Sequence, residues 1–350
     1  MLPSGTFFES HAREAALLRT GPQRIAAVVL VLVLVLAPLL LGRSQIGLAT
    51  LVGISVIAVM GLQITTGMAG QLNLGQSAFV GIGAFAAARL SNADIPFWLA
   101  IPAAGLAAGA FSLVFGLPSI RVKGFYLALT TFAAQVMFPV VVIRLPESWL
   151  GGSNGLSVET PRLFGMSLRS PAAMYYLVLV VVVLLAICAF NLTRSRVGRA
   201  FRALRDNDIA AAVLGIDPRR YKLLAFFAGA LYAGVAGALY AYYVRYVTTE
   251  QFTLWQSIWY VGMLIVGGLY SPLGAVLGTI FISVLQELLH VAAALVLASD
   301  VGLTGGFIFA ATNVMLGAII LLALIFEPHG LAHRWNLIKA SYRIWPYPHG

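Results

Sequence analysis

Apolar residues run along this chain in long unbroken blocks, without the alternation of wet and dry positions that marks a soluble helix with one buried face. Measured against the roughly 20 helical residues needed to cross a bilayer core, the blocks at 25–42, 46–66, 72–92, 96–118, 123–144, 172–193, 221–245, 254–270, 274–292 and 306–326 predict ten spans. Outside them lie an amphipathic arm (1–24), a polar segment (194–222) and a polar tail (327–350). The predicted fold is all-α, a polytopic transmembrane helical bundle over 25–326 with both termini on one side of the membrane.

Composition agrees with that pattern. The chain is 60% hydrophobic and 10% charged, whereas soluble proteins carry about 25% charged residues, too few here to cover a water-exposed surface. Charge then orients the spans, because cytoplasmic loops are enriched in Lys and Arg. With ten spans and cytoplasmic termini, sixteen of the 22 Lys and Arg residues fall inside, and eight of these lie between Arg194 and Lys222. The net charge of +10 is therefore topological; no aromatic-interleaved basic patch points to nucleic acid. Basic residues precede the first apolar block as in a signal peptide, but no small-residue cleavage site follows, so an uncleaved first helix is expected.

Candidate chemistry is sparse. The single Cys188 sits inside an apolar block, where a packed thiol is expected. His329 and His333 have the i, i+4 spacing of a metal pair without a nearby third ligand, so no metal site is assigned. No nucleophile elbow, His-Glu-x-x-His motif or facing carboxylate pair occurs. Asp and Glu keep to loops and helix ends, Glu287 coming nearest to a span interior, which argues against an ion-coupled carrier. No phosphate-binding Gly-x-x-x-x-Gly-Lys-Ser/Thr loop is present, so ATP could act only through a partner.

Three stretches carry the functional signal. The segment 194–222 is too polar to insert and predicts two short helices, Arg199–Arg205 and Ile209–Leu214, with Asp206 or Asp208 as N-cap of the second and Gly215 ending it. Small Ala210, Ala211 and Ala212 would admit another surface closely; the alternative is a solvated basic loop that only enforces topology. At the start of the third block Gln71, Asn73, Gln76 and Ser77, among glycines, suit either a wet translocation path or helix packing and helix breaking. The loop after Arg144 contains Gly151, Gly152, Ser153 and Asn154, either a landing surface for a soluble partner or a plain connector.

Taken together, Gly61-Leu62-Gln63 with Gly70-Gln71-Leu72-Asn73-Leu74-Gly75-Gln76-Ser77-Ala78-Phe79, Lys123-Gly124-Phe125-Tyr126-Leu127-Ala128-Leu129-Thr130-Thr131, and Ser195-Arg196-Val197-Gly198-Arg199-Ala200 through Tyr221-Lys222 to Gly267-Gly268-Leu269 resemble the permease subunits of ATP-binding-cassette importers for branched-chain amino acids, in particular the longer of the two paired permeases. The resemblance implies an inner-membrane transport subunit, not an enzyme. Its partners would be ATPase subunits that bind ATP and Mg, a second homologous permease and a periplasmic or extracytoplasmic binding protein; the chain itself would hold no cofactor. It also implies an ATPase-coupling loop comprising Arg199, Arg202, Arg205, Asp206, Asp208, Ile209, Ala210, Ala211, Gly215 and Ile216. The Glu-Ala-Ala, three residues, Gly pattern of such importers keeps its spacing at Ile209-Ala210-Ala211 and Gly215, with Ile209 where Glu would stand. A urea or short-chain amide permease, or an ATP-independent channel, are the rival readings.

Overall fold

The computed structural model describes residues 21–120, 122, 124–163, 166–298, 305–327 and 329–344; the arm up to residue 20 and the last six residues lie outside that set. The described chain is almost entirely helical, with helices α1 (Gly21–Leu40), α2 (Arg43–Leu62), α3 (Gln76–Ser91), α4 (Phe97–Gly116), α5 (Phe125–Arg144), α6 (Pro171–Arg194), α7 (Arg196–Asp206), α8 (Asp208–Val213), α9 (Pro218–Val244), α10 (Leu254–Gly267), α11 (Pro272–Ala298), α12 (Gly305–Phe326) and α13 (Leu331–Ile344). Each of the ten predicted blocks contains one helix. Six helices among the described residues are long and apolar enough to cross a membrane, or seven if a bent pair near the C-terminal end counts as one. Four blocks fall short of that length among the described residues: α3 has 16 residues and α10 has 14, the α12 block counts only as part of the bent pair, and α1 contributes only the shorter apolar stretch Val31–Leu40. The tail expected to be merely polar contains the helix α13.

Helix α9 occupies the centre. A stripe of small residues (Gly229, Ala230, Ala233, Gly234, Gly237, Ala241) is buried along it, and α2, α3 and α4 pack on that stripe. Gly61 meets Gly229, and Gly83 meets Gly234, so closely that a methyl group at either crossing would overlap backbone. Such small-residue contacts let helices associate by van der Waals packing where lipid offers no hydrophobic drive. The reverse face of the bundle is apolar and exposed, with Val180, Leu184 and Ile187 on α6 and Leu288 and Val291 on α11 among the outward residues, as a lipid-facing surface requires. Cys188, expected to be packed, lies on this outer face of α6, because the buried neighbour on that turn is Ala189.

Helix α1 packs on α6, where two tyrosines bond its backbone. Pro38 lies inside α1 and has no N–H to give to the carbonyl of Leu34. The Tyr175 hydroxyl donates to that carbonyl at 2.9 Å, and the Tyr176 hydroxyl donates to the Val35 carbonyl at 2.9 Å. Tyr175→Phe is expected to leave the Leu34 carbonyl unpaired at a cost of about 1–3 kcal/mol and to loosen α1, seen as faster proteolysis of the α1–α2 joint in detergent. Unchanged cleavage would show that lateral packing alone holds α1.

The joints fall at two opposite ends of the bundle. At one, residues 156–157 pair antiparallel with 246–247, and Arg245 Nη2 donates to the Arg169 carbonyl at 3.3 Å. At the other, the segment after α2 meets α7 through Arg205, and the α10–α11 turn meets the start of α13 near Gly330.

Candidate functional site

The third block, for which helix breaking was one of the two readings, opens on non-helical chain and becomes helix only at Gln76. Helix α2 continues as a π-helical turn, Gln63–Met68, a feature often found at functional positions. Residues 70–75 then run without helix to α3. Non-helical backbone at membrane depth survives only inside protein with its polar groups satisfied, and several of those groups find partners here. The Gln71 N–H donates to the Thr65 carbonyl at 3.0 Å, the Thr66 hydroxyl to the Gln71 carbonyl at 3.0 Å, and the Leu74 N–H to the Thr131 hydroxyl at 3.0 Å.

The open start of α3 is capped by side chains from elsewhere. The Asn73 Oδ1 accepts from the Gly75 N–H (2.9 Å), the Ser257 hydroxyl from the Ser77 N–H (2.9 Å), and Gln135 Oε1 from the Ala78 N–H (2.8 Å). Ser257 lies in the first turn of α10, so two interrupted helices begin against each other. Gln135 ties the pair together: its Oε1 also accepts from the Ser257 hydroxyl (3.0 Å), and its Nε2 donates to the Phe252 carbonyl just before α10 (2.7 Å). Gln76 Nε2 donates to the Ala58 carbonyl (2.7 Å) and accepts at Oε1 from Asn73 Nδ2 (3.0 Å). Ala58 and Gln135 are each near the middle of a long helix, which places this junction at mid-depth.

The four predicted path residues therefore divide. Asn73 and Gln76 are committed to bracing the break. Gln71 keeps both amide atoms, and Ser77 its hydroxyl, buried without a partner among the described residues. Gln63 shares that condition; it and Thr131 entered the sequence reading only through the resemblance and not as path residues, and Gln135 and Ser257 did not enter it. The available signal was an amide inside an otherwise apolar span, which holds for Gln63 and Gln135 alike.

In the 194–222 segment the two predicted helices form, with the first starting at Arg196 under a Ser195 cap. The N-cap of α8 is neither Asp206 nor Asp208 but Asn207, whose Oδ1 accepts from the N–H groups of Ile209 and Ala210 at 3.0 and 3.1 Å. An amide between the two aspartates satisfies the same two donors, which frees both carboxylates. Asp206 pairs with Arg205 at 2.9 Å, and Asp208 with Lys222 at 3.2 Å. Gly215 ends α8 at φ +84°, with the Gly215 N–H bonded to the Ala212 carbonyl and the Ile216 N–H to the Ala211 carbonyl, both at 3.0 Å, the paired closure that a left-handed residue permits.

Of the three alanines expected at the contact, one is buried. Ala211 is 1% exposed and packs inward, so it offers nothing to a partner. Outward stand Ile209 (70% exposed), Val213 (84%) and Leu214 (80%), with Ala210 and Ala212 beside them. An i, i+4 apolar pair on a polar loop beyond the bundle is the signal that the alanines obscured. Arg199 and Arg202 lie on the surface, donating to the carbonyls of Arg194 and Thr193 at 3.1 Å each. Arg205 turns inward to the Gly67 carbonyl.

The loop after Arg144 is folded. Gly151 (φ +71°) and Gly152 (φ +54°) lead into a short helical turn, Gly152–Asn154, whose Asn154 carbonyl accepts from the Tyr246 hydroxyl. Ser153 and Asn154 are exposed.

An apolar helical bundle whose interrupted helices abut in its interior, with a polar loop presenting an apolar tip beyond one end, is the build of a multi-spanning membrane transport subunit. Residues 44–325 match the family described as "Branched-chain amino acid transport system / permease component", and the chain belongs to that family. It is similar to the high-affinity branched-chain amino acid transport system permease protein LivM of Escherichia coli (strain K12), with 32% identity over 89% of this chain and 75% of the relative. The LivM permease of Salmonella typhimurium is 30% identical over the same shares. The autoinducer 2 import system permease protein LsrC of Enterobacter sp. (strain 638) is 29% identical over 73% of this chain and 68% of the relative. No solved structure matches the chain.

Proposed function

We propose that this chain is one of two paired permeases of an ATP-driven importer in a bacterial inner membrane, carrying branched-chain or other hydrophobic amino acids inward. It crosses the membrane ten times with both termini cytoplasmic, and α7–α8 docks on an ATPase subunit that binds ATP and Mg. A binding protein outside the membrane delivers cargo near Gly151, Gly152, Ser153 and Asn154. The chain performs no covalent chemistry; partner ATPases bias it between outward- and inward-facing states. The observation that carries the docking reading is the exposed trio Ile209, Val213 and Leu214 on a short helix held outside the bundle, since contiguous apolar surface in water marks an interaction site. Cargo rests on the two LivM relatives, whose names specify branched-chain amino acids.

The test is Val213→Asp, alone and with Ile209→Asp. Both positions are almost fully exposed, so the fold should survive, while a charge in a desolvated contact costs several kcal/mol. Co-purifying ATPase is expected to fall at least tenfold, together with uptake of radiolabelled leucine into vesicles. Wild-type levels of ATPase with the double variant would overturn the dock. Leucine flux that persists without ATP would favour a channel, and uptake of urea but not leucine would favour the short-amide permease.

A further inference from the structure

We infer that Arg205 is the positioning residue through which the α7–α8 segment controls the mid-depth junction. The inference rests on the reading that this segment receives the ATPase.

Unlike Arg199 and Arg202, Arg205 points into the bundle. Its Nη1 donates to the Gly67 carbonyl at the end of α2 (3.2 Å), and its guanidinium carbon lies 4.5 Å from the ring centroid of Tyr270 in the α10–α11 turn. Nε and Nη2 donate to Asp206 Oδ1 at 3.0 and 2.9 Å, which fixes the plane of the group. A methyl group at Gly70 (φ +69°) would come within 2.7 Å of the Arg205 Cγ, and one at Gly67 would overlap the carbonyl of Leu269. Arg205 thus sits in the seam where the end of α2 and the end of α10 touch. Only a planar fork of donors can bond Asp206 and Gly67 and lie over an aromatic ring together; a lysine ammonium cannot.

The two structures it grips continue to one place. From Gly67 the chain runs through 70–75 to Ser77, and α10 runs back from Gly267 to Ser257. Their far ends are joined by the Ser77 N–H bond to Ser257 and by Gln135. A displacement of α7 therefore moves both halves of the junction by their inner ends. Beside Arg205 the segment faces the bundle across a cavity of about 330 Å³, bordered by Gly70, Gln71, Gly124 and Lys222. Across a space of that size little force passes; Phe201 and Leu204 hold α7 against the bundle, and Arg205 is the polar connection that reaches both the Gly67 carbonyl and the Tyr270 ring.

The experiment reconstitutes the complete transporter in proteoliposomes and measures leucine delivered per ATP hydrolysed. Arg205→Ala and Arg205→Lys are expected to lower that ratio at least tenfold, Tyr270→Ala severalfold, and Tyr270→Phe not at all, because phenylalanine keeps the ring face. A general folding defect would not separate Phe from Ala at an exposed position. An unchanged ratio in Arg205→Ala overturns the inference. If that variant does not assemble, Tyr270→Ala decides, and an unchanged ratio there overturns it equally. Retention of ATPase by the Val213 and Ile209 variants would instead overturn the docking reading on which it stands.

Discussion

Gln135→Leu should unfold at a lower temperature than the native chain and should transport less than a tenth as fast. Leucine matches glutamine closely in volume, so no large cavity opens; the loss is polar. Two backbone groups in the bundle interior, the Ala78 N–H and the Phe252 carbonyl, lose the side-chain partner that Gln135 gives them. Each buried orphan costs about 1–3 kcal/mol, which sums to about 2–6 kcal/mol, a large part of a typical stability of about 5–15 kcal/mol. Gln135→Glu should fall between, since a carboxyl oxygen can still accept from Ala78 while nothing donates to Phe252. The control is Gln71→Leu. The Gln71 amide has no side-chain partner among the described residues, and replacing an unpaired buried amide by an apolar group of similar shape is neutral or stabilising. Melting curves in detergent settle the matter: equal midpoints for Gln135→Leu and Gln71→Leu would show that the junction is ordinary packing and that the two short helices hold together without the amide.

The contrast between those two glutamines also marks the boundary of what the sequence could reveal. The ten apolar blocks were legible because a bilayer demands a continuous run of about 20 apolar residues, and that requirement is local. The break at the start of the third block was one reading of its glycines and amides; what decides for it was not legible, because an interruption at 70–75 is stable only when Thr131, Gln135 and Ser257, distant in sequence, supply hydrogen bonds. Hydropathy of 72–92 is the same whether the segment is helix or braced coil. The positions of α7 and α8 were readable from capping and from Gly215, which act within a few residues. Which face of α8 turns outward was not. The run of alanines at 210–212 suggested a contact surface, yet Ala211 packs inward while Ile209 and Val213 on the opposite side of the helix stand out. The docking role came from family resemblance, and the trio that would perform it came from the fold.

Asp208 belongs to the same class of hidden relation, and it yields the second large effect. Read locally, it is a capping candidate one residue before the place where related importers carry Glu. In the fold its Oδ2 meets Lys222 Nζ at 3.2 Å, with side-chain exposures of 18% and 10%, so a charge pair largely shielded from water joins α8 to the start of α9. Removing one member of a buried pair costs about 3–5 kcal/mol, because the other charge stays behind in a medium that solvates it poorly. Lys222→Met is therefore expected to displace the α8 segment, reducing both co-purifying ATPase and leucine uptake at least tenfold. Asp208→Asn should do less, since an uncharged amide can still accept from the ammonium. The informative variant is the double replacement, Lys222→Met with Asp208→Asn. If the single loss arises from an uncompensated charge, removing both charges should restore most of the ATPase association, as replacement of whole buried pairs often does. A double variant no better than Lys222→Met would mean that the lysine acts through contacts other than its pair with Asp208. Wild-type behaviour of all three would show that the segment is held in register by its apolar residues, Phe201 and Leu204 on α7 and Ala211 on α8, which are buried against the same end of the bundle.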